Sequence, residues 1–200
     1  MKRLVRARVI TVGPFISSAF LDRRNPEDTR VAADSDPWEE SEGTIRWLDS
    51  KPPLLVLYVS FGSITSVSPV QIRELAAGLE RSQQCFLWVI RPPEGHHDLS
   101  ALIPPGFLER IEERGLVVEW CVQLEVLSHP SVGAFMSHCG WNSTLDALCS
   151  GVPMLTAEAW TDQLTNAKCV ADIWKTGCRM KKAKMGLCQC RRLRDASDRQ

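Results

Sequence analysis

Short runs of β-branched and other apolar residues alternate along the chain with segments whose apolar residues recur at helical spacing. Such alternation predicts βαβ units, in which parallel strands are joined by helices that cover the faces of one sheet. The predicted strands span residues 54–60, 85–90, 116–119, 132–137 and 152–155. The predicted helices span residues 69–81, 107–114, 142–150 and 161–175. The pattern therefore predicts an α/β fold with a parallel sheet flanked by helices.

The first and last of these helices carry the strongest local signals. Ser68 is followed by a proline at the first helical position and by Gln71 three residues after the cap, a combination that starts helices. In the last helix, a stripe of apolar residues at helical spacing predicts a buried face, and the helix is expected to end before Gly177. The residues of this stripe are Leu164, Ala167, Ala171 and Trp174.

Changes of pattern divide the chain into regions. Residues 1–21 include an apolar run at 9–12 that ends at a glycine–proline turn, which predicts a buried strand; a secretory signal is the alternative, because basic residues precede the run. Residues 22–50 are rich in Arg, Asp, Glu, Pro and Ser, the composition of a solvated linker. Residues 51–180 carry the alternating pattern of the domain, and residues 181–200 form a basic tail that we expect to be disordered or weakly ordered.

Composition and charge exclude several classes of function. The chain has 200 residues, enough for one domain, and its 44% hydrophobic and 24% charged residues are typical of a soluble globular protein. Its 24 Lys and Arg balance its 24 Asp and Glu, so no overall field attracts nucleic acid or an anionic membrane. No apolar run reaches the length of a membrane helix. We therefore expect no nucleic acid partner and no membrane span.

The chain contains eight cysteines, and most of them lie in or beside apolar runs. This placement favours free thiols in the reducing cytoplasm, whereas a disulfide framework is the alternative. Cys188 and Cys190 could form a zinc site with His138 and Cys139, but zinc motifs normally pair one C-x-x-C with a second. We therefore expect a cytoplasmic protein without a bound metal.

Two strand-to-helix turns are rich in glycine and serine, the first at 60–63 and the second at 137–143. Where parallel strands end, backbone N–H groups and the helix dipole converge and bind anions. In the second turn, Gly140 permits close approach of the backbone, and Asn142 and Ser143 supply donors for a diphosphate without lysine or metal. An ordinary capped helix start is the alternative interpretation of this turn.

Aromatic and polar residues next to the predicted strand ends are the other candidates for a ligand site. Trp120 follows the strand at 116–119, where its ring could stack on a flat heterocycle or belong to the core. Gln123 could bond a sugar hydroxyl, and Asp162 with Gln163 could bind vicinal hydroxyls of a hexose. Taken singly, each polar residue is better explained as part of the surface.

Taken together, these residues stand in the order and spacing of a known signature. The segment 120–163 closely resembles the PSPG box of the plant secondary-product UDP-glycosyltransferases, and its sequence is WCVQLEVLSHPSVGAFMSHCGWNSTLDALCSGVPMLTAEAWTDQ. It keeps the opening tryptophan, the HPSVG segment, the HCGWNS core, the GVP turn and the closing DQ. The resemblance extends upstream through YVSFGS and WVIRPP and downstream through DQLTNAKCVADIWKTG, and so covers residues 10–180.

The resemblance implies a GT-B enzyme with two Rossmann-like domains, of which this chain is similar to the C-terminal, donor-binding one. Residues 1–21 would then be a remnant of the interdomain segment. By matching position, Trp120 would stack on uracil, and the backbone of Cys121 would bond the uracil edge. Gln123 and Asp146 would meet ribose hydroxyls; Asp146 stands where the family usually has glutamate, so a water could bridge to one hydroxyl.

The resemblance also implies how the rest of the donor is held. Trp141 would line the sugar pocket by its backbone, and Asp162 with Gln163 would bind the hexose hydroxyls, a closing glutamine being the form associated with glucose. The residues that would hold the diphosphate are Ser63, His138, Asn142 and Ser143. Because the UDP-sugar is a co-substrate, the resemblance implies no cofactor and no metal.

The reaction implied by the resemblance is inverting transfer of a hexose, glucose, from a UDP-sugar to a hydroxyl of a small lipophilic acceptor. The family's general-base histidine and its aspartate partner belong to the N-terminal domain and have no counterpart in this sequence, so no catalytic residue is assigned. The chain would carry the donor-binding half only and, if folded, would be a monomer. The alternatives are a catalytically inactive nucleotide-sugar-binding fragment and a dinucleotide-dependent oxidoreductase, whose G-x-G-x-x-G fingerprint is absent.

Overall fold

The structure is a computed structural model. It describes residues 43–62, 67–91, 102–182 and 188–189, with side chains through residue 180. The helices are α1 (Gly43–Asp49), α2 (Pro69–Ser82), α3 (Phe107–Ile111), α4 (Gln123–Leu127), α5 (Trp141–Cys149) and α6 (Gln163–Lys168), which continues as a π-helix (Cys169–Ile173). The strands are β1 (Val56–Ser60), β2 (Cys85–Val89), β3 (Gly115–Val118), β4 (Val132–Ser137), β5 (Met154–Thr156), β6 (Gly177–Arg179), β7 (Lys181–Lys182) and β8 (Cys188–Gln189). The strand predicted at 9–12, Ser63 and most of the predicted tail lie outside the described residues.

Six of the strands form one parallel sheet in the order β3-β2-β1-β4-β5-β6. This confirms the predicted α/β fold with a parallel sheet flanked by helices. The chain runs outward from β1 to β3 and then crosses back, so that β4 pairs with the other side of β1. The reversal creates a topological switch point between β1 and β4, and open α/β sheets bind ligands at the carboxyl ends of the strands beside such a point.

The start of α2 shows how local sequence determines an element. The Ser68 hydroxyl accepts a hydrogen bond from the Gln71 backbone N–H, and the Gln71 side chain accepts one from the Ser68 N–H, at 3.3 and 3.0 Å. This capping box satisfies two N–H groups that a helix start leaves without intrahelical partners. Ile72, Ala76 and Leu79 are buried on one face, as their helical spacing predicts.

The core lies on both faces of the sheet, because successive strand residues point to opposite sides. In β1, Tyr58 packs on one face, where its ring stacks on Phe135 of β4 with centroids 4.7 Å apart. Val59 packs on the other face in the same cluster as Trp88 and Phe107, whose rings meet edge to face. Burial on both faces explains why the strands are continuous apolar runs rather than alternating ones.

The end of the predicted linker is helical. Residues 43–49 form α1, and Thr44 and Leu48, one turn apart, are buried against the domain. Charged residues surround these two positions, so the sequence shows no clear apolar pattern. Leu48 becomes buried only in the folded domain, where it packs in the core cluster of the sheet. The helix α4 and the edge strand β6 were likewise not predicted, and the backbone of β7 and β8 pairs as a short antiparallel ladder within the tail predicted to be weakly ordered.

The apolar stripe predicted for the last helix is wrong at both ends. Leu164 is 47% exposed and Trp174 is 40% exposed, whereas Gln163, Asn166 and Val170 are buried. The amide side chains are buried because they bond the backbone of neighbouring turns. The helix then widens into a π-helix, in which the Trp174 N–H reaches back five residues to the Cys169 carbonyl, and this extra residue per turn rotates Trp174 off the α-helical stripe.

Candidate functional site

The imidazole of His138 lies at the switch point and packs against glycines from both neighbouring turns. His138 follows the end of β4, and Gly62 follows the end of β1. A Cβ built on Gly62 would lie 2.6 Å from His138 Cε1, and a Cβ built on Gly140 would lie 2.5 Å from His138 Nε2. Any side chain at either glycine would therefore displace the ring, so both positions keep the imidazole close to the backbone of the two turns.

The electrostatic setting keeps His138 neutral. Burial lowers the pKa of His138 below its ordinary value, and the nearby Asp162 carboxylate opposes this shift. A neutral imidazole carries one N–H donor and one acceptor nitrogen. Within the described residues, Nδ1 is buried and has no hydrogen-bond partner. At neutral pH this side chain is therefore suited to donate a hydrogen bond to an anion rather than to form an ion pair with it.

The turn between His138 and α5 is held in a conformation that L-residues rarely adopt. Cys139 has φ 64, in the left-handed region. Its N–H donates to Ser137 Oγ at 3.2 Å, and its carbonyl accepts from Asn166 Nδ2 at 3.0 Å. Burial raises the pKa of the Cys139 thiol to about 12, so the thiol is protonated at neutral pH and is not a nucleophile. Two hydrogen bonds thus hold the turn that leads into α5.

The first turn of α5 faces the same edge of the sheet. Trp141 and Asn142 are exposed, Ser143 is buried, and the turn contains no acidic residue. The first N–H groups of a helix have no intrahelical acceptor, and the helix dipole places partial positive charge there. Together with neutral His138, this end of α5 can accept an anion such as a diphosphate without a metal ion or a lysine.

Gln123, Ser143 and Asp146 form one hydrogen-bonded cluster between α4 and α5. Gln123 Nε2 donates to Asp146 Oδ2 at 2.7 Å and lies 3.3 Å from Ser143 Oγ. Ser143 Oγ in turn donates to Gln123 Oε1 at 3.4 Å. Burial raises the pKa of Asp146, and the hydrogen bond from Gln123 opposes that shift. The cluster presents amide, hydroxyl and carboxyl groups at one place, a combination that suits the vicinal hydroxyls of a ribose.

Trp120 and Cys121 follow β3, which ends at Val118, and so lie near the same edge as the clusters above. Trp120 is half-buried. The Cys121 side chain is buried, with its sulfur 3.5 Å from Tyr58 Oη, and burial raises the pKa of this thiol to about 11. The thiol is buried in the core, so a ligand at this edge would contact the main chain of Cys121 and not its sulfur.

The remaining candidates lie where the loop after β5 meets α6: Asp162 is the N-cap residue and Gln163 is the first residue of the helix. Gln163 is 5% exposed, and its Oε1 accepts from the N–H groups of Ala159 and Trp160 at 3.0 and 3.2 Å. Asp162 is exposed; hydrogen bonds from Thr161 and then from Asn166 lower the pKa of its carboxyl. Asp162 is therefore ionised at neutral pH. The side-chain carbonyl oxygen of Gln163 is already hydrogen-bonded to the loop, so its amide N–H groups are the part of the side chain that could bind a ligand.

His129 lies at the other end of the sheet. Its Nδ1 accepts from the Ser131 N–H at 3.2 Å, and its Nε2 lies 3.1 Å from Asp49 Oδ1 in α1. Ser131 immediately precedes β4, so this group lies at the amino ends of the strands, opposite the candidate site. The histidine of the HPSVG segment thus connects α1 to the sheet and does not reach the ligand edge.

The predicted site residues converge for the most part. Trp120, Cys121 and His138 follow ends of β3 and β4, and the remaining described candidates lie on α4, on α5 and at the start of α6. Sequence reasoning missed Asn166, which joins the Cys139 turn to Asp162 through two hydrogen bonds of 3.0 and 2.8 Å. It also missed Glu158 and Arg179, an ion pair beside the loop. The contact of Asn166 with Cys139 spans 27 positions and that of Glu158 with Arg179 spans 21, and local spacing is no guide to contacts of that range.

In the ranges that the structure describes, no group of three or more His, Cys, Asp and Glu is arranged to hold a metal ion. Among the described helices, none is both long and apolar enough to cross a membrane.

Known proteins share both the sequence and the fold of this chain. Mogroside I-E synthase of Siraitia grosvenorii is 49% identical over 174 residues, which are 87% of this chain and 37% of that protein. UDP-glycosyltransferase 74C1 of Arabidopsis thaliana is 44% identical over 181 residues, 90% of this chain and 38% of that protein. The chain thus spans well under half of the length of these relatives.

Solved structures of similar proteins superpose on the fold described above. The structure of Os79 from O. sativa in complex with UDP has a TM-score of 0.79 at 37% identity, over 90% of this chain and 38% of that one. Apo UGT2 of Phytolacca americana has a TM-score of 0.69 at 39% identity, over 76% of this chain and 36% of that one. Residues 47–187 match the sequence model of the family described as "UDP-glucoronosyl and UDP-glucosyl transferase". Since that match takes in most of the chain and the fold is shared with solved relatives, the chain belongs to the UDP-glucoronosyl and UDP-glucosyl transferase family.

Proposed function

We propose that this chain binds the UDP-sugar donor of a glycosyltransferase at the carboxyl edge of its sheet. The observation that carries the proposal is the meeting of a neutral His138, the free N–H groups of α5 and the Gln123–Ser143–Asp146 cluster beside one switch point. These groups supply in turn a donor for phosphate oxygens, an anion-binding helix start and partners for ribose hydroxyls.

The proposed assignment of the donor follows the groups along the edge. Trp120 would stack on uracil, the Cys121 main chain would bond the uracil edge, and Gln123 with Asp146 would hold the ribose. The diphosphate would lie on Ser63, His138, Asn142 and Ser143. The Trp141 backbone, Asp162 and the Gln163 amide N–H groups would meet the hexose, which we propose is glucose. In this assignment the segment 120–163 acts as a PSPG box.

The whole enzyme, on this proposal, transfers the hexose with inversion to a hydroxyl of a small lipophilic acceptor. The acceptor hydroxyl gives its proton to a general base, which the resemblance assigns to the N-terminal domain. The acceptor oxygen attacks the anomeric carbon while the bond from that carbon to the β-phosphate oxygen breaks, and UDP leaves with added negative charge. On this assignment His138 and the α5 N–H groups would face the β-phosphate, where that charge develops, and would stabilise the transition state without reorganisation. This electrostatic contribution needs no metal ion.

A catalytically inactive nucleotide-sugar-binding fragment is the second candidate. The two histidines whose surroundings the structure describes favour it, because His129 bonds Ser131 and Asp49 at the opposite edge and His138 belongs to the proposed diphosphate site. Neither is available to take the proton of an acceptor hydroxyl. UDP binding without transfer by the full chain would support this candidate, and measurable transfer would exclude it.

We also propose that the chain is a monomer of the cytoplasm and needs no metal or other cofactor. The six cysteines whose side chains the structure describes form no disulfide, a state suited to a reducing compartment. Burial raises the pKa values of Cys121 and Cys139 to about 11 and about 12, so both thiols are protonated at neutral pH. Sedimentation of the purified chain would test the oligomeric state, and a soluble dimer would contradict it.

The proposed function is tested by calorimetric titration of the full chain with UDP and UDP-glucose, each with and without EDTA, and with NAD as control. We expect saturable binding of both uridine ligands that EDTA leaves unchanged, and no binding of NAD. Absence of UDP binding by a chain shown to be folded by circular dichroism would refute the proposal. Loss of binding in EDTA would refute the metal-independent form of it.

A further inference from the structure

Glu158 is a charged residue buried in the loop between β5 and α6. Its side chain is 9% exposed, and its Oε1 accepts from Arg179 Nη2 at 2.9 Å. Its Oε2 accepts from Thr156 Oγ1 at 3.4 Å. A carboxylate so far removed from water is destabilising unless it is paired and hydrogen-bonded. Burial of the Glu158 side chain in this loop therefore depends on its ion pair with Arg179.

The ion pair connects the edge strand of the sheet to this loop. Arg179 ends β6 and is in register with Thr156, which ends β5, so both lie at the carboxyl edge. The loop is fixed at two places: Glu158 is held by Arg179, and the N–H groups of Ala159 and Trp160 are held by Gln163 Oε1. The second attachment holds the Gln163 side-chain amide against the loop, and the first connects the residue just before Ala159 to the edge strand.

The pair also balances charge near the start of α5. The Glu158 carboxylate raises the pKa of the Cys139 thiol and the Arg179 guanidinium lowers it, so both charges act on the turn that precedes α5. An unpaired negative charge near this turn would repel a diphosphate bound at the start of α5, whereas the opposite charges of the ion pair largely cancel each other's effect on it. Loss of Arg179 and loss of Glu158 should therefore affect anion binding differently, which allows the two variants to be told apart.

We propose that the Glu158–Arg179 ion pair is a positioning device for the donor sugar, setting the loop 157–162 so that Asp162 and Gln163 meet the hexose hydroxyls. The inference rests on the proposed binding of a UDP-sugar at this edge. Glu158 and Arg179 act through the loop and are positioning residues rather than ligand contacts. The loop acts on the hexose and not on the nucleotide, because Trp120, Gln123 and Asp146 lie outside it. The nucleotide should respond only where the loss of Arg179 leaves the Glu158 carboxylate unpaired.

The test compares UDP-glucose with UDP by calorimetric titration of the full chain. In Glu158→Gln, we expect UDP affinity to stay within about twofold of wild type while the ratio of UDP-glucose to UDP affinity falls about tenfold, the equivalent of one positioned hydrogen bond. Arg179→Met should lower the same ratio and in addition weaken UDP, since it leaves Glu158 unpaired. Arg179→Lys keeps the charge and should recover most of the ratio.

The matched control is Glu80→Gln, which breaks the ion pair of Glu80 with Arg110 between α2 and α3. It should leave both affinities unchanged. An unchanged ratio of UDP-glucose to UDP affinity in Glu158→Gln would overturn the positioning role. An equal loss of both affinities together with a lower unfolding temperature would also overturn it, because that result indicates a purely structural ion pair. A wild-type chain that binds UDP and UDP-glucose equally would refute the positioning role alone, whereas one that binds neither would refute the proposed function itself.

Discussion

Replacing Gly140 by alanine should weaken UDP binding through His138 alone. Gly140 has φ −57 and ψ 150, a backbone conformation open to any residue, so the substitution adds no backbone strain. The new Cβ would lie 2.5 Å from His138 Nε2, whereas ordinary van der Waals contact begins at 3.4 Å. The ring must therefore move by the difference, about 0.9 Å, provided that the backbone of the turn stays in place.

The magnitude follows from hydrogen-bond geometry. An N–H···O bond at its usual length of about 2.9 Å no longer exists after a displacement of that size. A hydrogen bond to a charged group contributes about 1.5–3 kcal/mol, which corresponds to roughly 10- to 100-fold in Kd. Because His138 is proposed to contact the diphosphate, Gly140→Ala should weaken UDP by this factor and leave uridine binding nearly unchanged.

The assay is calorimetric titration of wild type and Gly140→Ala with UDP and uridine, with unfolding in urea to check the fold. Gly78→Ala is the matched control, since a Cβ at Gly78 in α2 would meet nothing within 4 Å. It should leave UDP affinity unchanged and stabilise the chain by about 0.5–1 kcal/mol, as alanine replaces glycine in a helix interior. The reasoning is refuted if a folded Gly140→Ala binds UDP as wild type does, or if it loses UDP and uridine affinity equally.

Three further predictions concern stability. Leu48→Ala should lower the free energy of unfolding by about 2–5 kcal/mol, because Leu48 is fully buried in the core cluster, and a loss below about 1 kcal/mol in urea would show that α1 is a solvated connector after all. Burial holds the folded-state pKa of His138 below its unfolded value of 6.5, so the contribution of this residue to the free energy of unfolding is complete above pH 6.5 and is lost as pH falls through the folded-state pKa. From pH 7 to pH 5 the urea midpoint should therefore fall less in His138→Gln than in wild type, and an equal fall would contradict the pKa shift. Burial raises the folded-state pKa of Asp146 above 3.8, so the contribution of this residue to the free energy of unfolding is complete below pH 3.8 and is lost as pH rises through the folded-state pKa. Between pH 3.5 and pH 7, Asp146→Asn should therefore gain stability relative to wild type. A stability difference that stays constant with pH would contradict the pKa shift.

Local signals account for the elements that sequence reasoning predicted. The capping box of Ser68 and Gln71 lies within a single turn, and the apolar runs of the sheet are continuous because both faces are covered. The elements that were missed are short: α1 buries two residues, α4 has five residues, and β6 has three. So few residues leave no periodic pattern to detect, and tertiary contacts supply most of the stability of such elements.

The stripe on the last helix illustrates a different limit. Periodicity assumes a regular helix, and the π-helix after Lys168 breaks that assumption, so Trp174 lies outside the core. Leu164 is exposed because Gln163 and Asn166 take the inward positions with hydrogen bonds to the backbone. Hydrophobicity alone does not foresee a buried amide whose partners lie in another turn.

By itself, the sequence determined the class of fold, the order of most elements and, through the resemblance of segment 120–163, the family and the candidate residues of the proposed donor site. Only the tertiary structure decided how those residues meet: His138 against Gly62, Gln123 bonded to Asp146, and Glu158 paired with Arg179. The physical reason is the range of the interactions. Caps and strand patterns are properties of neighbouring residues, whereas these pairs lie far apart in the chain and meet only after the sheet has ordered its strands and turned their carboxyl ends to one edge.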